Sequence, residues 1–257
     1  MNKINRIKID LQLLYFLTLK EFKLRYKNSF IGYIWAVLNP LAFASVYFFA
    51  FKLVMKFDIE NYSMILLTGL FPWVWINTSL SKGALSFVAN SGIIKKISFN
   101  YNMIPISMIM HDFVHFLFSI PILIIYILVT GMDLHFSYLI GIPILLITQI
   151  IMLIPFVTIL STFNVFIRDV EYLTSVALSL LFFLTPIVYP IDIVPEKFLH
   201  IYMLNPFVYL IELWRELFLN GKIIFKNVFI ILSVFVPFSI ICRKIAKSQY
   251  KRFSEYL

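Results

Sequence analysis

Residues 28–51 carry no charged side chain, 24 positions in succession, and Lys20, Lys23, Arg25 and Lys27 stand just before them. A helix of that length rises roughly 36 Å at about 1.5 Å per residue, enough to cross a hydrocarbon core about 30 Å thick with some tilt. A cationic stretch feeding such a run enters the bilayer from the side that the positive-inside bias assigns to the cytoplasm. Only 14% of the 257 residues are charged and 61% are hydrophobic, whereas a soluble domain carries about 25% charged residues. The chain therefore reads as an integral membrane protein forming a single domain, residues 1–257. Its net charge of +9 is concentrated in a few segments, a pattern that speaks of topology and anionic headgroups and not of nucleic acid. Cys242 is the lone cysteine, which excludes disulfides within the chain and Cys-based metal clusters. The apolar run 11–19 is followed by Lys20 and Glu21 with no small-residue cleavage site, so a removed signal peptide is not expected.

Residues 1–27 have the pattern of an amphipathic helix at the cytoplasmic interface. Tyr15, Leu19, Phe22 and Tyr26 share one face, and Lys20, Lys23 and Lys27 another. Glu21, four residues before Arg25, is spaced to pair with it. A second uncharged run covers 61–81, and a third span covers about 104–129, interrupted by Asp112. Between Asp133 and Arg168 lie 34 uncharged residues, too few for two spans and a loop. One long helix over about 137–163 is expected there, bent at Pro143 or Pro155. After the polar turn 164–171, with Asp169 placed to cap the next helix, a fifth span occupies 172–191, ending at Pro186 and Pro190. Two shorter apolar pieces, 198–204 and 207–219, are broken at Asn205-Pro206, and the last span covers about 227–242 ahead of a basic tail, 243–257.

With six spans, the cytoplasmic segments 1–30, 82–103, 164–171 and 243–257 carry +5, +3, −1 and +4, while the outer loops carry 0, −1 and 0. A seventh span through 207–219 would move the basic tail outside, so six is the expected number. The fold class is then an all-α integral membrane protein with six transmembrane helices and an N-terminal interface helix. A re-entrant or interfacial helical hairpin over about 192–219 forms an outer gate before the last span.

A phosphate-cradling loop needs G-x-x-x-x-G-K-[ST]. Gly221-Lys222 has Glu216 where the first glycine belongs and Ile223 where the hydroxyl belongs. A chain driven by ATP would need a partner to bind the nucleotide. There is no G-x-S-x-G and no H-E-x-x-H, so neither a catalytic nor a metal-binding set is expected. His111, Asp112 and His115 form an ionisable trio within a span, readable as a proton relay or as a polar contact between helices. The 28 Phe, 14 Tyr and 4 Trp exceed what interfacial belts need, and Phe71, Trp73 and Trp75 flank Pro72 in mid-span. Ordinary packing accounts for them; so does a conduit whose aromatic faces let sugar rings slide.

Arg25-Tyr26, Gly32, Trp35 and Pro40; the run Gly69-Leu70-Phe71-Pro72-Trp73; Asn90 through Ile94-Lys95-Lys96; the turn Asn164-Val165-Phe166-Ile167-Arg168-Asp169; Thr185-Pro186-Ile187-Val188-Tyr189; and Asn205-Pro206 followed by Arg215 occur in that order. Together they resemble the permease subunits of ABC exporters for O-antigen and teichoic-acid polysaccharides. One departure is Ser98-Phe99-Asn100, where the family often has a proline after the Lys-Lys pair. The resemblance implies a homodimer in the cytoplasmic membrane, with both termini cytoplasmic. It also implies two copies of a separate ABC subunit that hold ATP and Mg, no cofactor in this chain, and a lipid-pyrophosphate-linked polysaccharide as cargo. Arg25, Tyr26, Asn90, Lys95, Lys96, Arg168 and Asp169 would serve the headgroup or the ATPase. Trp35, Phe71, Trp73, Trp75, Phe182, Phe183 and Tyr189 would line the glycan channel, and Asn205, Pro206 and Arg215 would build the outer gate. The alternatives are an ABC permease for drugs or small lipids and a proton-coupled transporter built on Asp112.

Overall fold

Where water is absent, backbone groups must pair within the protein, and this chain meets that demand almost wholly with helices. The computed structural model describes residues 3–27, 32–97 and 99–257, among which there is no β-strand. Helix α1 is Lys3–Tyr26, and α2, Trp35–Phe48, is prolonged by a π-helical turn, Phe49–Val54. Next come α3 (Tyr62–Ala89), the single turn α4 (Ser91–Ile94), α5 (Met103–Thr130) and α6 (Tyr138–Phe166). The rest is α7 (Asp169–Phe183), α8 (Glu196–Tyr202), α9 (Pro206–Asn220), α10 (Phe225–Gln249) and the short α11 (Phe253–Tyr256). The onset of the first uncharged run, residues 28–31, and Ser98 of the loop after the Lys-Lys pair lie outside the described residues.

Among the described residues, five helical stretches are long and apolar enough to cross a membrane: Val37–Val54, Tyr62–Ala89, Met103–Thr130, Tyr138–Phe166 and Phe225–Arg252. The chain is a multi-pass helical membrane protein. The long uncharged run between Asp133 and Arg168 forms one helix of 29 residues that passes through both Pro143 and Pro155. Helix α3 is the most enclosed, packed by α2, α5, α6, α7 and α9, while α10 lies along α6 and α1 along α5.

The expected fifth span, 172–191, is not a span-length helix. Helix α7 stops at Phe183 after 15 residues, roughly 22 Å. Pro186 lacks an N–H and disfavours helical geometry at Thr185. The chain that follows is irregular, yet Thr185, Pro186, Ile187 and Val188 are all buried. Its carbonyls are taken up by side chains from elsewhere. Asn205 Nδ2 donates to the Leu184 carbonyl (3.0 Å), Arg215 Nη2 to those of Pro186 and Ile187, and the Tyr62 hydroxyl to Val188 (2.9 Å). Glu212 neutralises Arg215 at 2.5 Å. Gly69 completes the seat, since a Cβ there would collide with the Ile187 carbonyl.

The two short apolar pieces are α8 and α9, separated at Asn205-Pro206. Asn205 Oδ1 accepts from the Phe207 N–H (3.0 Å) and Pro206 fills the first helical turn, the capping chemistry both residues favour. Helix α9 buries residues on nearly every side, including Trp214, whose indole donates to Gln149 Oε1 (2.8 Å). Gln149 in turn donates to the Pro72 carbonyl (3.1 Å), tying α3, α6 and α9 together.

At one end of the bundle α1, α4, the start of α5, the end of α6 and α11 converge around Leu17, Phe87, Ile94, Ile104, Val165 and Phe253. Two expectations change here. The buried side of α1 is marked by Leu17 and Phe22, while Tyr15 points outward at 63% exposure; the side chain of Tyr26 is outside the described residues. The basic tail is not a free extension either. It continues as helix, Tyr250 donates to Asn102 Oδ1 (2.6 Å), and Phe253 is fully enclosed against Phe87 and Phe166.

Arg215→Met will leave buried carbonyls and Glu212 without their donor, a loss of roughly 3–5 kcal/mol, whereas Tyr62→Phe removes one hydrogen bond at about 1 kcal/mol. Thermal unfolding of the detergent-solubilised variants measures both, and equal midpoints would show that the irregular segment is held by other means.

Candidate functional site

Three local arrangements hold the residues singled out from the sequence. The first is a charge cluster between α1, α3 and α5. Arg25 Nη1 and Lys82 Nζ lie 3.5 and 3.6 Å from Asp112 Oδ1, and Ser79 donates to Asp112 Oδ2 (3.2 Å). His111 Nδ1 is 2.9 Å from Asp112 Oδ1, and His115 Nε2 is 3.2 Å from His111 Nε2. A carboxylate can only accept, so His111 carries its proton on Nδ1. Phe22 of α1 covers both imidazoles, with ring centroids at 4.5 and 5.2 Å. The trio thus takes part in a contact between α1, α3 and α5 of this chain. Arg25 reaches Asp112, while Glu21 pairs with Lys20 (3.2 Å); the buried, hydrogen-bonded carboxylate is the stronger partner for the guanidinium. Among the described residues no group of three or more His, Cys, Asp or Glu is arranged to hold a metal ion.

The second arrangement is a lateral groove between α2, α3 and α7. Phe43, Tyr47, Trp73, Phe182 and Phe183 line it together with Asn39, Asn77, Thr78 and Ser179. Phe182 stacks on Tyr47 (5.5 Å) and meets Trp73 edge-on (6.0 Å). Pro40 sits in α2 and Pro72 in α3. Deeper in, Trp35, Phe71 and Trp75 border a small cavity that also touches Arg25, Asp112 and His115. Trp75 and Phe71 are enclosed, with the Trp75 indole donating to the Ile109 carbonyl (3.3 Å), whereas Trp35 is half exposed. Tyr189 belongs to neither space: its hydroxyl meets the Phe183 carbonyl (2.5 Å) and the Tyr202 hydroxyl (2.7 Å). Burial, reinforced by that bond, pushes the Tyr202 phenol above its ordinary range.

The third arrangement is the basic end. Asn90 is buried, donates to the Ser86 carbonyl (2.8 Å) and accepts from the Lys20 ammonium. Lys95 and Lys96 stand exposed beyond α4, and Arg168 and Asp169 stand exposed in the turn between α6 and α7. The cap of α7 is not Asp169, which lies within the first helical turn and acts on the dipole there. Buried Asn164 reaches forward to accept the Glu171 N–H (3.2 Å). Asn205, Pro206 and Arg215 are grouped around residues 184–188, as described above.

Sequence reasoning missed Lys82, Ser79, Gln149 and Glu212. Lys82 ends an uncharged run and so reads as loop, yet α3 continues for seven residues beyond it. Gln149, an amide amid aliphatic residues, was the available signal for a buried network.

Long apolar helices, an irregular segment satisfied by buried side chains, and an aromatic–amide groove open to the side define a polytopic membrane protein of the transport class. The chain belongs to the ABC-2 type transporter family, whose profile matches residues 12–219. It is similar to two O-antigen export system permease proteins RfbA of Klebsiella pneumoniae, 41% and 43% identical over 245 residues, covering 95% of each chain. A further RfbA permease, from Myxococcus xanthus, is 30% identical over 185 residues, 72% of this chain and 71% of the relative.

Asn164→Ala is expected to cost about 1 kcal/mol and Asp169→Ala only a few tenths, about 0.3–0.5 kcal/mol. Denaturation of the two variants side by side tests the order, and a larger loss for Asp169→Ala would return the cap to that residue.

Proposed function

We propose that this chain is the membrane-spanning subunit of an ATP-driven exporter that moves lipid-linked polysaccharide of O-antigen type from the cytoplasmic to the outer side of the inner membrane. The observation that carries the reading is the likeness to O-antigen export permeases along 95% of both chains. A teichoic-acid or capsule-like cargo has the same lipid-pyrophosphate chemistry. The groove suits a polymer of sugars: aromatic faces favour stacking, and Asn39, Asn77, Thr78 and Ser179 offer neutral hydrogen bonds that no single sugar monopolises. Outward-facing apolar residues on α2 (Phe43, Val46) and α7 (Val176, Leu180, Phe183) flank the groove. A second copy seated there would close it into a conduit, which is the homodimer expected for the class.

The sixth crossing in this reading is composite. Helix α7 rises from the basic end, the irregular segment 184–190 and α8 turn outside, and α9 dips back as a re-entrant piece before α10 returns. Both termini then lie in the cytoplasm, beside Lys95, Lys96, Arg168 and Asp169, where a separate ATP-binding subunit in two copies would dock. Those ATPase chains hold ATP and Mg; this chain supplies the path and the contact surface.

In membrane vesicles supplied with the partner ATPase, Trp73→Ala is expected to reduce polymer export several-fold while dimer and ATPase assembly persist, and Lys95→Ala/Lys96→Ala to do the same from the basic end. Loss of folded protein equal to the loss of export would return Trp73 to packing, and unchanged export by the double variant would remove those lysines from the mechanism. Cysteine tags at residues 3 and 257, probed with a membrane-impermeant reagent, should react only after the cells are opened. Labelling of either in intact cells overturns the topology.

A further inference from the structure

A second opening, between α1, α3 and α5, is lined by Glu21, Leu24, Arg25, Lys82, Met108 and His111. Its two cations lean on one carboxylate oxygen, Asp112 Oδ1, at 3.5 and 3.6 Å, longer than the 2.7–2.9 Å or so of a full charge-assisted bond. Asp112 already accepts from Ser79 and His111. The charges around the opening are Glu21 and Arg25 from α1, Lys82 from α3 and Asp112 from α5, beside His111 and His115. Glu21 is paired with Lys20, which lines a different opening, so Arg25, Lys82 and Asp112 leave one positive charge over. The cations stand on the open side, their side chains 35% and 40% exposed, and the carboxylate stands behind them at 2%.

Depth adds a second constraint. Lys82 is seven residues from the end of α3 and Asp112 nine from the start of α5, about 10–14 Å in from the helix ends. Both positions lie inside helices long and apolar enough to cross a membrane, where an ammonium is costly unless an anion answers it. Leu24 and Met108 supply an apolar wall beside the cations.

We propose that Arg25 and Lys82 form a seat for the phosphate of a lipid headgroup, with Asp112 as the built-in counter-ion that the phosphate relieves. A phosphate presents several oxygens to the guanidinium fork and the ammonium at once, where Asp112 Oδ1 must serve both. The apolar wall selects a phosphate attached to a lipid over a soluble one. The seat deepens the export reading, on which a headgroup role for Arg25 rests, by adding Lys82 and Asp112; binding is read without ATP or transport, so either can fail while the other stands.

The test uses the full chain in phosphatidylcholine nanodiscs doped with phosphatidylglycerol or with a polyprenyl diphosphate, the retained lipid being counted by mass spectrometry. Wild type should enrich a phosphate lipid over phosphatidylcholine, whose phosphate is balanced by its own ammonium. Lys82→Gln and Arg25→Gln should each cut that enrichment about tenfold, Lys82→Arg should keep it, and Asp112→Asn should raise it. Preference for the diphosphate identifies cargo, and preference for phosphatidylglycerol a resident lipid; either supports the seat. Enrichment unchanged in Lys82→Gln overturns it, as does inorganic pyrophosphate binding as tightly as the lipid. Lys82→Gln and Lys82→Arg decide the matter alone should Asp112→Asn not fold.

Discussion

Irregular backbone buried inside a helical membrane protein survives only if its carbonyls find donors, and residues 184–188 are where this chain meets that condition. Asn205, Arg215 and Tyr62 supply the donors, Glu212 balances the guanidinium, and Gly69 leaves room for the main chain to approach α3. The arrangement fixes much else. Because α9 carries both Asn205 and Arg215, it has to sit among the long helices, and its remaining faces are accordingly apolar and enclosed. Trp214 and Gln149 then lock it to α6 and, through the Pro72 carbonyl, to α3.

The polar groups divide into two functional kinds. Those around α9 pair Arg215 with Glu212 and with buried carbonyls, leaving only the Arg215 Nε of that side chain without a partner. Those between α1, α3 and α5 are unevenly matched, with two cations on one carboxylate. The lateral groove has a third character, aromatic and uncharged.

Helices were legible wherever length alone decided. The 34 uncharged residues before Arg168 could make only one helix, and α6 is that helix; Asn205-Pro206 could only be a break, and α9 starts there. The family was legible because its motifs are spread along the chain in a fixed order. The end of α7 was legible only as Pro186 and Pro190; the helix stops at Phe183, and the irregular chain beyond it is held by partners 20 to 126 residues away in sequence. Asp112 was visible as an anomaly, but its partner Arg25 is 87 residues distant and had a plausible local mate in Glu21. Asn164 lost to Asp169 for the same reason: the nearer residue fitted the local rule, and tertiary geometry chose the other.

The buried end of the chain has a consequence for motion. Phe253 is wedged against Phe87 of α3 and Phe166 of α6, and Tyr250 holds Asn102 at the start of α5. Three connections that are remote in sequence are therefore geared to the final helix. A displacement of any one of them is shared among the others, so the ends of α3 and α6 and the start of α5 shift together with the chain's last turns, as a block.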